Sequence, residues 1–199
     1  MKRFADQQYW GKPLPSFGDP HARLLLVGLA PAAHGGNRTG RMFTGDSSGI
    51  WLYRALYKAG FANQRESLHL KDGLQLSDCY VTAALRCAPP KNSPTPKELS
   101  NCRQYLLREI SLLENVRVIV GLGRIGFEAA LSAYSELQRI KYKVKPKFAH
   151  CASYEFGDLA FIASFHPSQQ NTFTGKLTEP MFDKVFRKAK RLLNHQELK

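Results

Sequence analysis

The sequence predicts an α/β protein: a three-layer α/β/α sandwich around a short, mainly parallel four-stranded sheet. Four short runs, residues 23–29, 78–85, 116–121 and 159–165, are almost continuously apolar, as strands covered on both faces are. Segments with helical periodicity separate them, and such alternation places helices on both faces of a parallel sheet. The 199 residues are 43% hydrophobic, which suits one domain spanning 1–199 around one core.

The elements follow in order. Residues 1–22 are polar, and Pro13, Pro15 and Pro20 argue against a helix there. After the first strand, Ser48 to Gly60 carries Ile50, Leu52, Tyr53, Leu56 and Tyr57 on a helical pattern, with Gly60 as its stop. Beyond the second strand, Thr95-Pro96-Lys97-Glu98 reads as a helix start: Thr95 caps, Pro96 fits the first turn and Glu98 completes a capping box. The third strand leads into a helix from Gly123 to Tyr134. Residues 135–158 read as irregular and basic, with Lys141, Lys143, Lys145 and Lys147 alternating. The fourth strand precedes a final helix from Pro180 to Leu193. No internal repeat, low-complexity tract or domain boundary is visible.

Charge narrows the class of partner. The net charge is +13, from 29 Lys and Arg against 16 acidic residues. Such a surplus favours polyanions, nucleic acid first, although a solvated lysine surface accounts for it equally well. No run approaches the ~18 apolar residues of a membrane span, and MKRFADQQYW has no apolar signal core. A cytoplasmic protein without a membrane partner is therefore expected, with its four cysteines reduced.

Two loops hold the chemistry. Residues 28–46, GLAPAAHGGNRTGRMFTGD, follow the first strand, and residues 166–178, HPSQQNTFTGKLT, follow the fourth. Parallel strands bring their C-terminal ends to one edge, where such folds place ligands, so the loops face one cleft. The glycines of the first loop, from Gly28 to Gly45, lower the steric cost of backbone approach, and Arg38, Thr39 and Arg41 are donors for phosphate oxygens. The loop lacks the GKS or GKT ending of a nucleotide-binding loop. Phe43 either packs inward or offers a flat wall, and His166 is either structural or a donor. Gly121-Leu-Gly123-Arg-Ile-Gly126 fits a dinucleotide fingerprint, yet no acidic residue follows at the required distance. Close strand–helix packing is the better reading of those glycines, and an oxidoreductase rests on nothing else.

Together with Leu85-Arg-Cys-Ala-Pro-Pro90 and Pro94-Thr-Pro96, the two loops closely resemble the type B (family 5) uracil-DNA glycosylases, from about Tyr9 to Lys190. The resemblance implies a monomeric, monofunctional repair enzyme acting on uracil-containing or otherwise damaged DNA. It would flip the base out, hydrolyse its N-glycosidic bond and leave an abasic site. Phe43 would stack on the flipped base, in a pocket with Gly28, Ala30 and Ala32. His166 would donate to the departing uracil's carbonyl, where negative charge develops. Ser168, Gln169 and Asn171 would press the DNA groove, and Arg38 and Arg41 would meet phosphates.

Two departures carry information. Ala30 stands where many uracil-DNA glycosylases have Asp, Glu or Asn to orient water, a gap that type B enzymes share. Asn37 and Asp46 are the remaining polar candidates, and Asp46 equally suits a helix cap near Ser47. Ala32 replaces a Tyr that blocks the thymine methyl, which implies wider base tolerance. The resemblance also implies a 4Fe–4S cluster, with Cys87 and Cys102, fourteen intervening residues apart, as two of its four ligands. The other pair, a CxxC near the N-terminus, has no counterpart here, so either the chain begins downstream of it or the cluster is lost. Cys79 reads as core, and no spacing supports Cys151 as a substitute. The competing reading is a non-catalytic, basic nucleic-acid-binding domain that keeps the fold.

Overall fold

A computed structural model of the chain describes residues 4, 6–142 and 144–196. Its centre is a six-stranded sheet in the order β1-β3-β2-β4-β6-β5. Strands β2 (Leu24–Gly28), β3 (Cys79–Ala83), β4 (Val118–Leu122) and β6 (Leu159–Ser164) pair in parallel. They are the four apolar runs of the sequence, and β2, β4 and β6 are buried at every residue.

The sheet is wider than expected. Two antiparallel strands flank the parallel four: β1 (Phe17–Gly18) against β3, and β5 (Ser153–Phe156) against β6. Both fall in segments that read as irregular. No residue of either strand is fully buried, so neither carries the apolar run that marks its neighbours.

Alternate strand residues feed two cores. Leu24, Leu26, Val118, Val120 and Ile162 face α2 (Ser47–Ala59) and α6 (Glu179–Gln196), meeting Leu52, Tyr53, Phe182 and Phe186. Leu25, Val27, Ile119, Phe161 and Ala163 face α3 (Pro96–Leu112) and α4 (Arg124–Leu137), meeting Leu106, Phe127 and Leu131. This is the three-layer sandwich, its faces set by the two-residue period of a strand.

Helix ends are where the sequence placed them to within three residues. Thr95 and Glu98 form the reciprocal capping box of α3, and Gly60 ends α2 in the left-handed region, its N–H reaching Leu56 and Tyr57. A Cβ on Gly121 would stand 2.3 Å from Phe127 Cα, and one on Gly126 would stand 2.4 Å from Val27 O. The glycines of the apparent dinucleotide fingerprint thus let α4 lie against β2 and β4. Two short helices within the motif loops, α1 (Gly36–Thr39) and α5 (Gln169–Phe173), carried no periodic signal.

Candidate active site

The C-terminal ends of β2 and β6 deliver both motif loops to one edge of the sheet. Gly28 closes β2, and the Phe43 ring lies directly over it: a Cβ there would stand 2.9 Å from Phe43 Cζ. Phe43 itself is only 8% exposed and holds a left-handed backbone at φ 52°, a conformation uncommon for a bulky residue. The start of α2 holds it there. Gly49 packs so close that a Cβ would fall 1.9 Å from Phe43 O, and Tyr53 Oη donates to the neighbouring Met42 carbonyl at 2.8 Å.

His166 arrives from β6 by way of Phe165. Its ring centroid is 5.9 Å from that of Phe43, with the planes tilted 31°. Burial pushes the imidazole down to about 4, so at neutral pH it is uncharged, with one N–H to donate and one bare nitrogen. Asn171 Nδ2 donates to the His166 carbonyl at 2.8 Å, and Ser168 caps α5 by accepting from Asn171 N. Ser168 and Asn171, expected at the DNA groove, are therefore engaged in shaping the turn that carries the histidine. Gln169 stays exposed.

A cleft of ≈ 710 Å³ opens between the two motif loops, lined among others by Ala32, Asp46, Leu68, Asn92, Gln169 and Gln170; Phe43 and His166 are not on its wall, although their loop neighbours Gly45 and Ser168 are. Asp46 caps α2 through Gly49 N at 3.0 Å, and burial raises its carboxyl above the usual range against the pull of the Gly49 and Ser48 amides and of Arg38. Capping leaves room for a second role, since an ionised carboxylate accepts several bonds. Asn37 does not line the cleft: its Nδ2 turns to Ala33 O at 3.5 Å and its backbone carbonyl accepts from Gly11 N. Asn92 does, from a single helical turn at 90–92 with φ 54°. Nothing in the sequence marks Asn92 beyond its place after Pro89-Pro90, which hints at a shaped turn. Ala30 sits half-buried just past β2.

The two arginines differ from expectation. Arg41 is 3% exposed. Its guanidinium forks onto Asp72, Nη1 to Oδ1 at 2.9 Å and Nη2 to Oδ2 at 2.7 Å, while Nε donates to Thr44 Oγ1 and Nη2 to Ser67 Oγ. Asp72 also accepts from the amides of Leu68 and Leu74. Burial raises its carboxyl, but Arg41 and those amides outweigh it and hold it well below the usual range. With four of its five N–H donors engaged and the side chain buried, Arg41 is a brace for the 67–74 loop rather than a phosphate ligand. Arg38 is half-buried, giving Nε to His34 O, Nη1 to Gln7 Oε1 and Nη2 to Gly45 O, with Phe4 stacked at 4.2 Å. Its first task is to tie the N-terminal segment to the motif loop.

Cys87 is exposed after β3 and Cys102 half-buried in α3. Burial, with the Cys102 thiol nearby, pushes the Cys87 thiol up. Cys79 is fully buried inside β3, and Cys151 lies beside His150 against α6. Among the described residues, no group of three or more His, Cys, Asp or Glu side chains converges on a point where a metal would sit. The side chains present offer two thiols toward a cluster that needs four, and they do not fit it. No described helix is long and apolar enough to cross a membrane.

Comparison with known proteins agrees with this geometry. A family model described as the uracil DNA glycosylase superfamily matches residues 15–190. A type-5 uracil-DNA glycosylase of Thermus thermophilus is 50% identical over 192 residues, covering 96% of this chain and 85% of the relative. One from Mycobacterium bovis is 48% identical over 96% of this chain and 70% of its own length. One from Pyrobaculum aerophilum is 41% identical over 95% and 80%. Type-4 enzymes are more distant, such as that of Thermotoga maritima at 31% over 76% of this chain and 67% of the relative. With both motif loops on one sheet edge and the match running through every strand of the sheet, the chain belongs to the uracil-DNA glycosylase superfamily.

Proposed function

We propose that this protein excises uracil from DNA by hydrolysing the N-glycosidic bond. The observation that carries the reading is the His166 ring facing Phe43 at 5.9 Å on the ligand edge of the sheet, where burial favours its neutral form. Bond cleavage leaves negative charge on the base and oxocarbenium character on the sugar. A neutral imidazole N–H aimed at the base carbonyl stabilises that charge without itself being ionised. The flat face of Phe43 takes the flipped base, and the close fit of Gly28 beneath it fixes the height of that wall.

Asp46 and Asn92, the carboxylate and carboxamide on the cleft wall, are the groups assigned to hold the attacking water. The cleft rim also carries exposed apolar side chains, Ile50 at 59% and Leu68 at 60%. Such side chains suit contact with unstacked base steps, and the Arg41–Asp72 brace places Leu68 for it. The small Ala32 beside the cleft fits a pocket that accepts bases other than uracil, including hypoxanthine and modified pyrimidines. A monomer acting in the cytoplasm completes the reading.

Incubation with a uracil-containing duplex followed by alkaline cleavage of abasic sites tests it. The protein should cut the strand at uracil, and His166→Ala should slow single-turnover cleavage by ~10²–10³ while duplex binding is kept. A duplex bound but left intact by the parent protein would favour the silent DNA-binding domain instead.

A further inference from the structure

Along α6, Lys184, Arg187, Lys188 and Arg191 recur at steps of three, one and three, which keeps them on one helix face. These four and His150 and Cys151 line a cavity of ≈ 660 Å³ with no acidic side chain among them. Arg187 and Arg191 also line a neighbouring cavity with Lys58, Lys190 and His195. The acids at the start of α6 are engaged elsewhere: Glu179 and Asp183 pair with Arg54, and Asp183 also with Lys58. Lys188 Nζ donates to Cys151 O at 3.1 Å. Among the described residues, no carboxylate pairs with Lys184, Arg187 or Arg191. An uncompensated row of cations repels itself, so the stripe calls for an outside anion.

The stripe begins at the catalytic edge. His150 Nδ1 accepts from Phe165 N at 3.1 Å and stacks on the Phe165 ring at 4.9 Å, one residue before His166. Lys176 lies 5.1 Å over the same ring. From there the four cations cover about 10 Å of helix axis, a length over which one DNA strand presents about three phosphates. The lining offers cations rather than base-edge readers, which is backbone recognition rather than sequence recognition.

We propose that this face of α6 is a track for the phosphate backbone of the duplex flanking the lesion, on the His166 side of the pocket. The proposal rests on the glycosylase reading for its partner, and the test separates the two. Lys184→Gln, Arg187→Gln and Arg191→Gln are combined in the full chain. Parent and variant are compared on a uracil duplex ending a few base pairs from the lesion and on one extended well past it.

The variant should cleave the short duplex at the parent's single-turnover rate. It should lose most of the affinity that the parent gains from the longer flank. Its slope of log affinity against log salt on the long duplex should be shallower by about 2–3, at ~0.9 per lost phosphate contact. Arg187→Lys with Arg191→Lys should keep the slope, since a point charge suffices for a phosphate. An unchanged slope with an unchanged gain from the flank overturns the track. So does an equal loss on short and long duplexes. A parent that leaves the short duplex uncut yet shows the α6-dependent gain would sink the glycosylase reading and leave the track standing.

Discussion

At the scale of single residues, the proposed chemistry turns on a histidine that burial keeps from ionising. The folded His166 titrates at about 4 because burial disfavours its cation, against roughly 6.5 in an unfolded chain. The unfolded chain therefore takes up the proton first, and stability falls as pH drops from about 6.5 to about 4. Ring-proton NMR of His166 should show no titration between pH 6 and 8; a midpoint near 6.5 would remove the neutral donor from the mechanism. The neighbouring pocket wall gives a second prediction. Ala32 lines the cleft, so Ala32→Tyr should fill the space beside the base and narrow the range of bases excised toward uracil. Parent-like cleavage of every larger base by the variant would mean that position 32 does not set the range.

At the scale of elements, the Arg41–Asp72 pair shows what residue type alone conceals. An arginine in a glycine-rich loop near a DNA site reads as a phosphate ligand, and the partner that removes it from solvent lies 31 residues away. Pairing of that range has no local signature. Both side chains are nearly buried, at 3% and 6%, so Arg41→Ala should destabilise by about 3–5 kcal/mol, the usual cost of stranding a buried charge. Thermal unfolding measures it, and the double variant with Asp72→Ala should cost less than the two single changes added together. Because Asp72 is held below the usual carboxylate range, its contribution is full above pH about 4 and fades as pH falls further. That window opens where the His166 window closes. The strands divide in the same way: β2, β4 and β6 are buried throughout and legible, whereas Ser153–Phe156 is half-exposed and reads as loop. That Phe43 and His166 meet at one sheet edge was legible from their motifs. Asn92 was not, because a left-handed turn after two prolines aims it and no sequence period reports that.

At the scale of the whole molecule, one sheet edge carries both motif loops and one helical flank gathers cations without carboxylate partners among the described residues. Of the 29 Lys and Arg, the four of the α6 stripe are gathered on one helix face without such a partner, whereas Arg41 is buried against Asp72. The four cysteines are also dispersed at this scale, with Cys79 inside the sheet, Cys151 against α6 and only Cys87 and Cys102 near one another. We therefore expect the 199-residue protein to purify colourless and with little iron. A full 4Fe–4S complement by iron analysis and visible absorption would show that other ligands complete the set. Excision should survive without it, since Phe43, His166 and Asp46 are positioned by β2, β6 and α2, and of the proposed site only Asn92 lies between Cys87 and Cys102.

The close packing of Gly28 and Gly49 against Phe43 has a consequence for how this protein tolerates change. The pocket wall is placed by atoms that are not there, with less than 3 Å left for a first side-chain carbon at either glycine. In a saturation library selected for activity, the usual ranking should therefore invert across the first motif loop. Exposed Ala33 should accept bulky or charged replacements, while the mildest available change, a single methyl at 28 or 49, should be among the most damaging. The same inversion would mislead an engineer who enlarges the pocket by trimming its largest residue. Room for a bigger base is better sought at Ala32 and along the cleft than by disturbing Phe43, whose position two glycines and an inverted backbone angle jointly fix.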